Sequence, residues 1–351
     1  MQTTTAEQVV LKSIWRCPSN IAIVKYWGKY GNQLPCNSSL SLTLSNSFTE
    51  IELELLKKNS NEAVELEYFF EGTKNEQFAS RVSKYLIDNV AYFPFLNDYA
   101  LRINSKNSFP HSAGIASSAS AFGAIALAMY DAFYTLNDKQ LDAEFYHTTS
   151  HLARLGSGSA SRSMFAGYAM WGENTAIKNS SNEFAIPVQE IHANFQQMHD
   201  AILIVEDEPK KVSSSVGHSL MNNHPYAQNR FAQANERTAR LVEILKTGDY
   251  QEFIQMCESE ALTLHAMMMT SNDYYLLMKP GTLLAIEKLM NFRKETNIPV
   301  CFTLDAGPNV HVLYPNSVKD KVEQFIHNEL KSTYKSVIFD ELGTGPTCLS
   351  R

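Results

Sequence analysis

The sequence predicts an α+β protein, and three observations carry that prediction. Period-two runs open the chain, strands and helices are mixed rather than strictly alternating, and each half holds its own strands and helices. Leu40–Leu44 and Ile51–Leu55 alternate apolar with polar residues and read as half-buried strands. Residues 64–71 should add a third strand to an antiparallel start. Residues 75–90 look helical, and 99–104 return as a strand. Two helices should follow, near 113–136 and 139–154, then strands at 165–171 and 184–191. Ala201–Val205 is a buried-strand run. Residues 225–246 carry Phe231, Ala234, Leu241 and Leu245 on one stripe with Gly248 beyond, the pattern of a long helix. Helices at 251–269 and 280–296, strands at 300–304 and 310–314, a helix at 318–330 and a strand at 336–339 complete the reading. The expected division is 1–195 and 196–351, two α+β halves packed around a cleft.

A chain of 351 residues can bury a substantial core. Its 44% hydrophobic and 19% charged content are those of a soluble globular protein. Net charge is −7, so the basic footprint of a nucleic-acid binder is missing. Residues 1–8 lack the basic and apolar regions of a signal peptide, and no apolar run approaches the ~18 residues of a membrane span. Neither a nucleic-acid nor a membrane partner is expected. The five cysteines are scattered, with no CxxC, which suits reduced thiols in a cytoplasmic protein. His147 and His151 stand four apart, a spacing that can hold metal. Without an acidic partner between them they read as a polar helix face.

The most informative segment runs from Asn107 to Ala121. Pro110 and Gly114 punctuate it, Ser112, Ser117 and Ser118 offer hydroxyls, and Ala113, Ala116 and Ala119 let backbone N–H groups approach a ligand. A helix start with free N–H groups and little bulk is an anion site, suited to a nucleotide polyphosphate. It is not a Walker loop, since no Gly-Lys-Ser/Thr follows. Four other segments carry chemistry, each with a plainer reading beside it. Lys25 and Lys29 flank Tyr26 and Trp27 at a strand end, as anion ligands or as solvated lysines. Gly156-Ser-Gly-Ser-Ala-Ser-Arg162 combines free backbone, hydroxyls and one guanidinium fork, as a site or as a flexible linker. Lys210-Lys-Val-Ser-Ser-Ser-Val-Gly217 joins two cations to hydroxyls, or caps a helix. Asp305 sits at a strand-to-turn junction before Gly307 and Pro308, as a base or as a turn former.

Together these segments resemble the mevalonate diphosphate decarboxylase family of the GHMP kinase superfamily. The resemblance rests on Asn20-Ile-Ala followed by Lys25-Tyr-Trp-Gly-Lys29, on Leu34–Leu44, on Ser108-Phe-Pro continuing to Ser118, on Gly156–Arg162, and on Asp305-Ala-Gly-Pro-Asn309. Gly343-Thr-Gly-Pro346 resembles the family's C-terminal glycine turn. It implies a GHMP kinase fold and a cytoplasmic homodimer that converts (R)-5-diphosphomevalonate and ATP to isopentenyl diphosphate, CO2, ADP and phosphate. By the same resemblance Asp305 would orient or deprotonate the C3 hydroxyl and Lys25 would hold Asp305 ionised. Arg162 would grip the C1 carboxylate, with Asn20 aligning it. Pro110, Ser112, Ala113, Gly114, Ala116, Ser117 and Ser118 would cradle ATP, with Ser118 on Mg2+. Tyr26, Lys29, Ser159, Ser213 and Ser214 would bind the diphosphate end. The chain departs from the family pattern at Gln77 and Ser215, where arginines are common, although Arg81 follows Gln77 by one turn. A 5-phosphomevalonate decarboxylase and a GHMP small-molecule kinase therefore stand as alternatives. Asp305 and Lys25 count against the kinase.

Overall fold

The computed structural model describes residues 8–110, 115, 117–208 and 214–351. Its spine is the strand Val9–Val24, of which the sequence reading saw only the end. Charged residues hid the rest: Lys12 and Arg16 alternate with Ser13, Trp15 and Cys17, and pair with Glu52 and Glu50 across the sheet. The neighbouring strand is continuous from Ser39 to Lys57, where two strands were expected. Its Ser-Asn-Ser stretch does not turn the chain. The register jumps from Pro18 opposite Phe48 to Asn20 opposite Thr43, so the strand bulges. The bulge frees the N–H groups of Ser45 and Asn46, and both donate to the Asp340 carboxylate at 2.8 and 2.7 Å.

Leu66–Phe70 also departs from expectation. It pairs parallel with Tyr99–Asn107 instead of extending an antiparallel ladder. The helix Glu76–Asp88 lies between these strands in sequence and makes the crossover that a parallel pair requires. Asn75 caps that helix, its side chain accepting from the Phe78 N–H at 2.9 Å. Helix Ser117–Leu136 packs over the sheet, and fifteen of its twenty residues are buried, which is why it is apolar on nearly every side. Helix Ala143–Gly156 begins four residues later than expected because Asp142 caps it. The Gly/Ser segment after it is an ordered 3-10 helix, Gly158–Met164, with six buried residues, rather than a linker.

The second sheet runs in the order Cys301–Leu304, Val310–Pro315, Met198–Ile204, Ser336–Glu341. Helices Ala227–Thr247, Tyr250–Met269, Pro280–Thr296 and Lys319–Glu329 accompany it. Ile21, Ile23, Leu40 and Leu42 from the first sheet share one buried cluster with Ile202, Ile204, Cys301 and Leu313 from the second. This shared core sets the end of the first strand opposite the turn after Leu304.

The chain then returns. Strand Thr347–Ser350 pairs antiparallel with Val9–Val24, so residues near the C-terminal end complete the first sheet. Arg351 Nε lies 2.7 Å from the buried Asp131 carboxylate, whose other oxygen accepts from Ser13 Oγ and Trp15 Nε1. Replacing Asp131 by Ala strands two buried donors and a guanidinium. The expected loss is about 3–5 kcal/mol, read as a lower midpoint of urea denaturation. An unchanged midpoint would remove this anchor from the stability account.

Candidate active site

The site lies where the first strand runs out against the second half. Lys25 follows Val24 directly, and its ammonium is 2% exposed. Lys25 Nζ donates to the Ala22 carbonyl and stands 3.5 Å from Asp305 Oδ1. Burial lowers the Lys25 pKa, and the Asp305 carboxylate opposes that shift. Asp305 belongs to the other half, in the turn after Cys301–Leu304, where its own carbonyl accepts from the Gly307 N–H. The pair therefore spans the two halves.

Arg162 approaches the same cavity from the 3-10 segment and is 2% exposed. Its guanidinium is fixed by neutral oxygens: Nε donates to Ser41 Oγ at 3.0 Å, Nη1 to Ser39 Oγ at 2.6 Å, and Nη2 to Asn20 Oδ1 at 3.3 Å. Asn20 in turn donates to the Ser159 carbonyl and Ser163 Oγ. Of five N–H groups, one on each terminal nitrogen is left for a ligand. Burial without a directly bonded carboxylate pushes the Arg162 pKa down to about 10, so the side chain remains a cation at neutral pH. The glycines beside it allow close packing. A Cβ on Gly156 would stand 2.0 Å from the Phe122 ring, and one on Gly158 would meet Trp171 at 2.8 Å.

The remaining lining is cationic and aromatic. Tyr26 packs edge-on to Trp171 and presents a buried hydroxyl with no hydrogen-bond partner among the described residues. Lys29 donates to Gln33, and burial, then Arg81, lower its pKa. Arg81 lies over the Phe122 ring at 4.6 Å and makes no ion pair or hydrogen bond among the described residues. Lys25, Lys29, Arg81 and Arg162 thus face one carboxylate, Asp305, around the cavity. Such a surplus of positive charge in a half-desolvated cleft selects a polyanion.

A second cavity adjoins the first and shares Arg81 and Ser118 with it. Tyr68, Phe70 and Phe78 give it aromatic walls, with Asn75, Asn107 and Ser117 as polar groups. Ser118 Oγ stands 3.3 Å from Ser157 Oγ at the junction. Among the described residues no group of three His, Cys, Asp or Glu could hold a metal.

The structure thus brings Asn20, Lys25, Tyr26, Lys29, Ser118, Ser159, Arg162 and Asp305 to the lining of one cavity. Ser117 lines the adjoining cavity and not this one. Pro110 is exposed and outside both linings. Ser214 opens helix Ser214–Ser219. Ser112, Ala113, Gly114, Ala116 and Ser213 lie outside the described residues. His147 packs on Phe184 and His151 contacts Glu183, the polar helix face expected of them.

The sequence does not single out His218, which directly follows the segment ending at Gly217. It lines the cavity between Tyr26 and Trp27, with ring centroids 4.2 and 4.8 Å away. The Gly28 N–H donates to its Nδ1 at 3.0 Å, so the ring is held neutral with its proton on Nε2. Burial, then Lys29, push its pKa down to about 3. The aromatic walls Tyr68, Phe70 and Phe78 were missed as well, because alternation marks a strand and a helix face without showing that a cavity opens between them.

The fold and the two-part cationic cleft define an α+β protein of the GHMP kinase type. Residues 17–183 match the diphosphomevalonate decarboxylase-like N-terminal domain, and residues 201–348 match the mevalonate 5-diphosphate decarboxylase C-terminal domain. A diphosphomevalonate decarboxylase of Aspergillus fumigatus is 30% identical over 331 residues, covering 88% of this chain and 78% of the relative. The mevalonate diphosphate decarboxylase of Staphylococcus aureus superposes with a TM-score of 0.82 at 27% identity, over 97% of this chain and 98% of that one. A solved structure of MDDEF in complex with MVAPP, AMPPCP and magnesium superposes with a TM-score of 0.81 at 28% identity, over 97% and 99% of the two chains. The chain belongs to the diphosphomevalonate decarboxylase family.

Two expectations follow from this geometry. Arg162→Lys keeps the charge but loses the planar fork, and turnover should fall by about 10²-fold while ATP affinity stays near wild type. A collapse of ATP affinity would instead move Arg162 to the nucleotide's part of the cleft. His218 has its folded pKa depressed to about 3, well below the ~6.5 of the unfolded chain. Its contribution to stability is complete above pH ~6.5 and is lost as pH falls toward 3, where the unfolded state binds the extra proton. His218→Asn keeps an acceptor for the Gly28 N–H and removes the titration. The denaturation midpoint of that variant should fall less steeply between pH 6 and pH 4, as followed by urea unfolding at each pH.

Proposed function

We propose that this chain is a diphosphomevalonate decarboxylase. It converts (R)-5-diphosphomevalonate and ATP to isopentenyl diphosphate, CO2, ADP and phosphate, a step in isoprenoid synthesis by the mevalonate pathway. The observation that carries the reading is the Lys25–Asp305 pair facing Arg162 across one cavity, within a family whose solved relative binds MVAPP, AMPPCP and magnesium.

In this reading the first cavity takes the mevalonate moiety. Arg162 offers its two remaining N–H groups to the C1 carboxylate, the acceptor a fork fits best. Asn20, Ser39 and Ser41 hold that fork in place before substrate arrives. Asp305 accepts the C3 hydroxyl proton as that oxygen is phosphorylated. Lys25, 3.5 Å from that carboxylate, meets the charge that develops on the transferring phosphoryl group. Catalysis of such a transfer is positioning and charge compensation. Once the tertiary oxygen carries phosphate, the C1–C2 bond breaks, its electrons form the new double bond, and phosphate leaves from C3. The apolar Leu264 and Ala306 in the same lining help exclude water from that step.

Tyr26, Lys29 and Ser159, with Ser213 and Ser214 on the following segment, take the diphosphate end. Arg81 adds a second cation there. The aromatic cavity of Tyr68, Phe70 and Phe78 takes the nucleoside, so the ATP phosphates reach the junction at Ser117 and Ser118. By the family resemblance, Pro110, Ser112, Ala113, Gly114 and Ala116 would also contribute to binding ATP. Mg2+, when bound there, neutralises phosphate charge, with Ser118 as its protein ligand. A cytoplasmic homodimer is the form expected of the enzyme.

The test is release of CO2 from 5-diphosphomevalonate with Mg2+-ATP, run beside 5-phosphomevalonate. The diphosphate should give the higher kcat/KM, since Lys29 and Arg81 offer more charge than a monophosphate uses. Preference for the monophosphate would overturn the substrate assignment and leave the decarboxylation standing. Asp305→Asn should lose roughly 10²–10⁵-fold in kcat with the folded state intact. Turnover within a few-fold of wild type would take Asp305 out of the mechanism.

A further inference from the structure

One helix touches both members of the reacting pair. Tyr250–Met269 carries Glu260 and His265, five residues apart and so about 7.5 Å along its axis. Glu260 is fully buried and accepts four N–H groups. Arg230 donates to both oxygens at 2.8 and 2.6 Å, Arg237 donates at 2.7 Å, and the Lys25 backbone N–H donates at 2.9 Å. Only an ionised carboxylate can accept all of them. The Lys25 carbonyl is held from its other side by Asn37 Nδ2 at 3.0 Å. His265 is 1% exposed, and its Nε2 stands 3.1 Å from the Asp305 carbonyl oxygen. That carbonyl cannot donate, so His265 must be the donor, with its proton on Nε2.

We infer that Glu260 and His265 are positioning residues that hold Lys25 and Asp305 at their working separation, with helix Tyr250–Met269 as the ruler between them. Neither touches the cavity; the helix meets the cavity through Leu264. Both grip backbone, one on each side of the cleft, so the separation of the reacting side chains is set by the helix and not by their own 3.5 Å contact. A contact that long is too weak to register the two halves by itself. The shared core holds the halves together, but apolar packing is non-directional, whereas these hydrogen bonds fix one atom against another.

The inference rests on the Lys25–Asp305 pair being the reacting pair, and the experiment separates the two claims. Four variants are compared in the CO2-release assay: His265→Leu, His265→Gln, Glu260→Asp and Asp305→Asn. Gln places a donor near the position of Nε2, while Leu fills the space and donates nothing. Glu260→Asp keeps the charge and shortens the reach by one methylene. His265→Leu and Glu260→Asp should each lower kcat by about 10²-fold, the cost of roughly 1 Å of misplacement, with KM for both substrates within a few-fold. His265→Gln should recover most of kcat. If His265→Leu fails to fold, His265→Asn replaces it, since Asn carries its donor nearer Nδ1 and should not recover the rate. Equal kcat for the Gln and Leu (or Asn) variants would overturn the proposal, as would full activity in Glu260→Asp. So would a drop in denaturation midpoint with kcat per folded molecule unchanged, which marks a purely structural role. Full activity in Asp305→Asn would instead sink the reading of the reacting pair.

Discussion

Lys25 places an amine in the nearly buried wall of the cleft, and much of the molecule is arranged around that fact. Withdrawing an ammonium from water costs several kcal/mol unless opposite charge and hydrogen bonds replace the lost hydration. Asp305 supplies the charge and the Ala22 carbonyl supplies an acceptor. Both depend on where the strand Val9–Val24 stops, and that depends on the apolar seam between the sheets. The same seam places the turn after Leu304 so that Asp305 faces inward. Sheet, seam and site are thus one construction: loosening any of them leaves a cation buried without its partner.

The cleft sorts its charges by the company each keeps. Lys25 faces a carboxylate, Arg162 is held by neutral oxygens, and Arg81 lies on an aromatic ring with no acceptor among the described residues. These are three degrees of readiness for an anion. The first is already partly compensated and adjusts as charge moves. The second is oriented but unneutralised, suited to a ligand group of fixed geometry. The third sits where the two cavities meet, free to answer whichever phosphate arrives.

Much of this was legible in the sequence, because local chemistry shows in local spacing. Lys25 and Lys29 around two aromatics, the Gly-Ser-Gly run before Arg162, and Asp305 before its turn all carried the signal of a site. What stayed hidden was held by distance along the chain. Glu260 and His265 sit in a helix whose apolar stripe explains it without them, and their partners lie more than twenty residues away or in the other half. The bulge at Ser45–Ser47 looked like a break because the carboxylate that relieves it, Asp340, is read only much later. The parallel pairing of Leu66–Phe70 was hidden for a similar reason. A short alternating run fixes a strand and its faces, but not which neighbour it chooses or in which direction.

The return of Thr347–Ser350 to the first strand gives the molecule a particular order of assembly. Ile14 finds its edge partner in Ser350, and Asp131 its guanidinium in Arg351. The first strand therefore keeps one edge bare at Ile14–Arg16 until Thr347–Ser350 has been synthesised. Local helices and the central ladders can form early, but closure of the outer edge is among the most non-local events in the fold. Until then that bare edge is where a growing chain is most exposed to mispairing, and the interval of risk is the time taken to make the residues between the two strands.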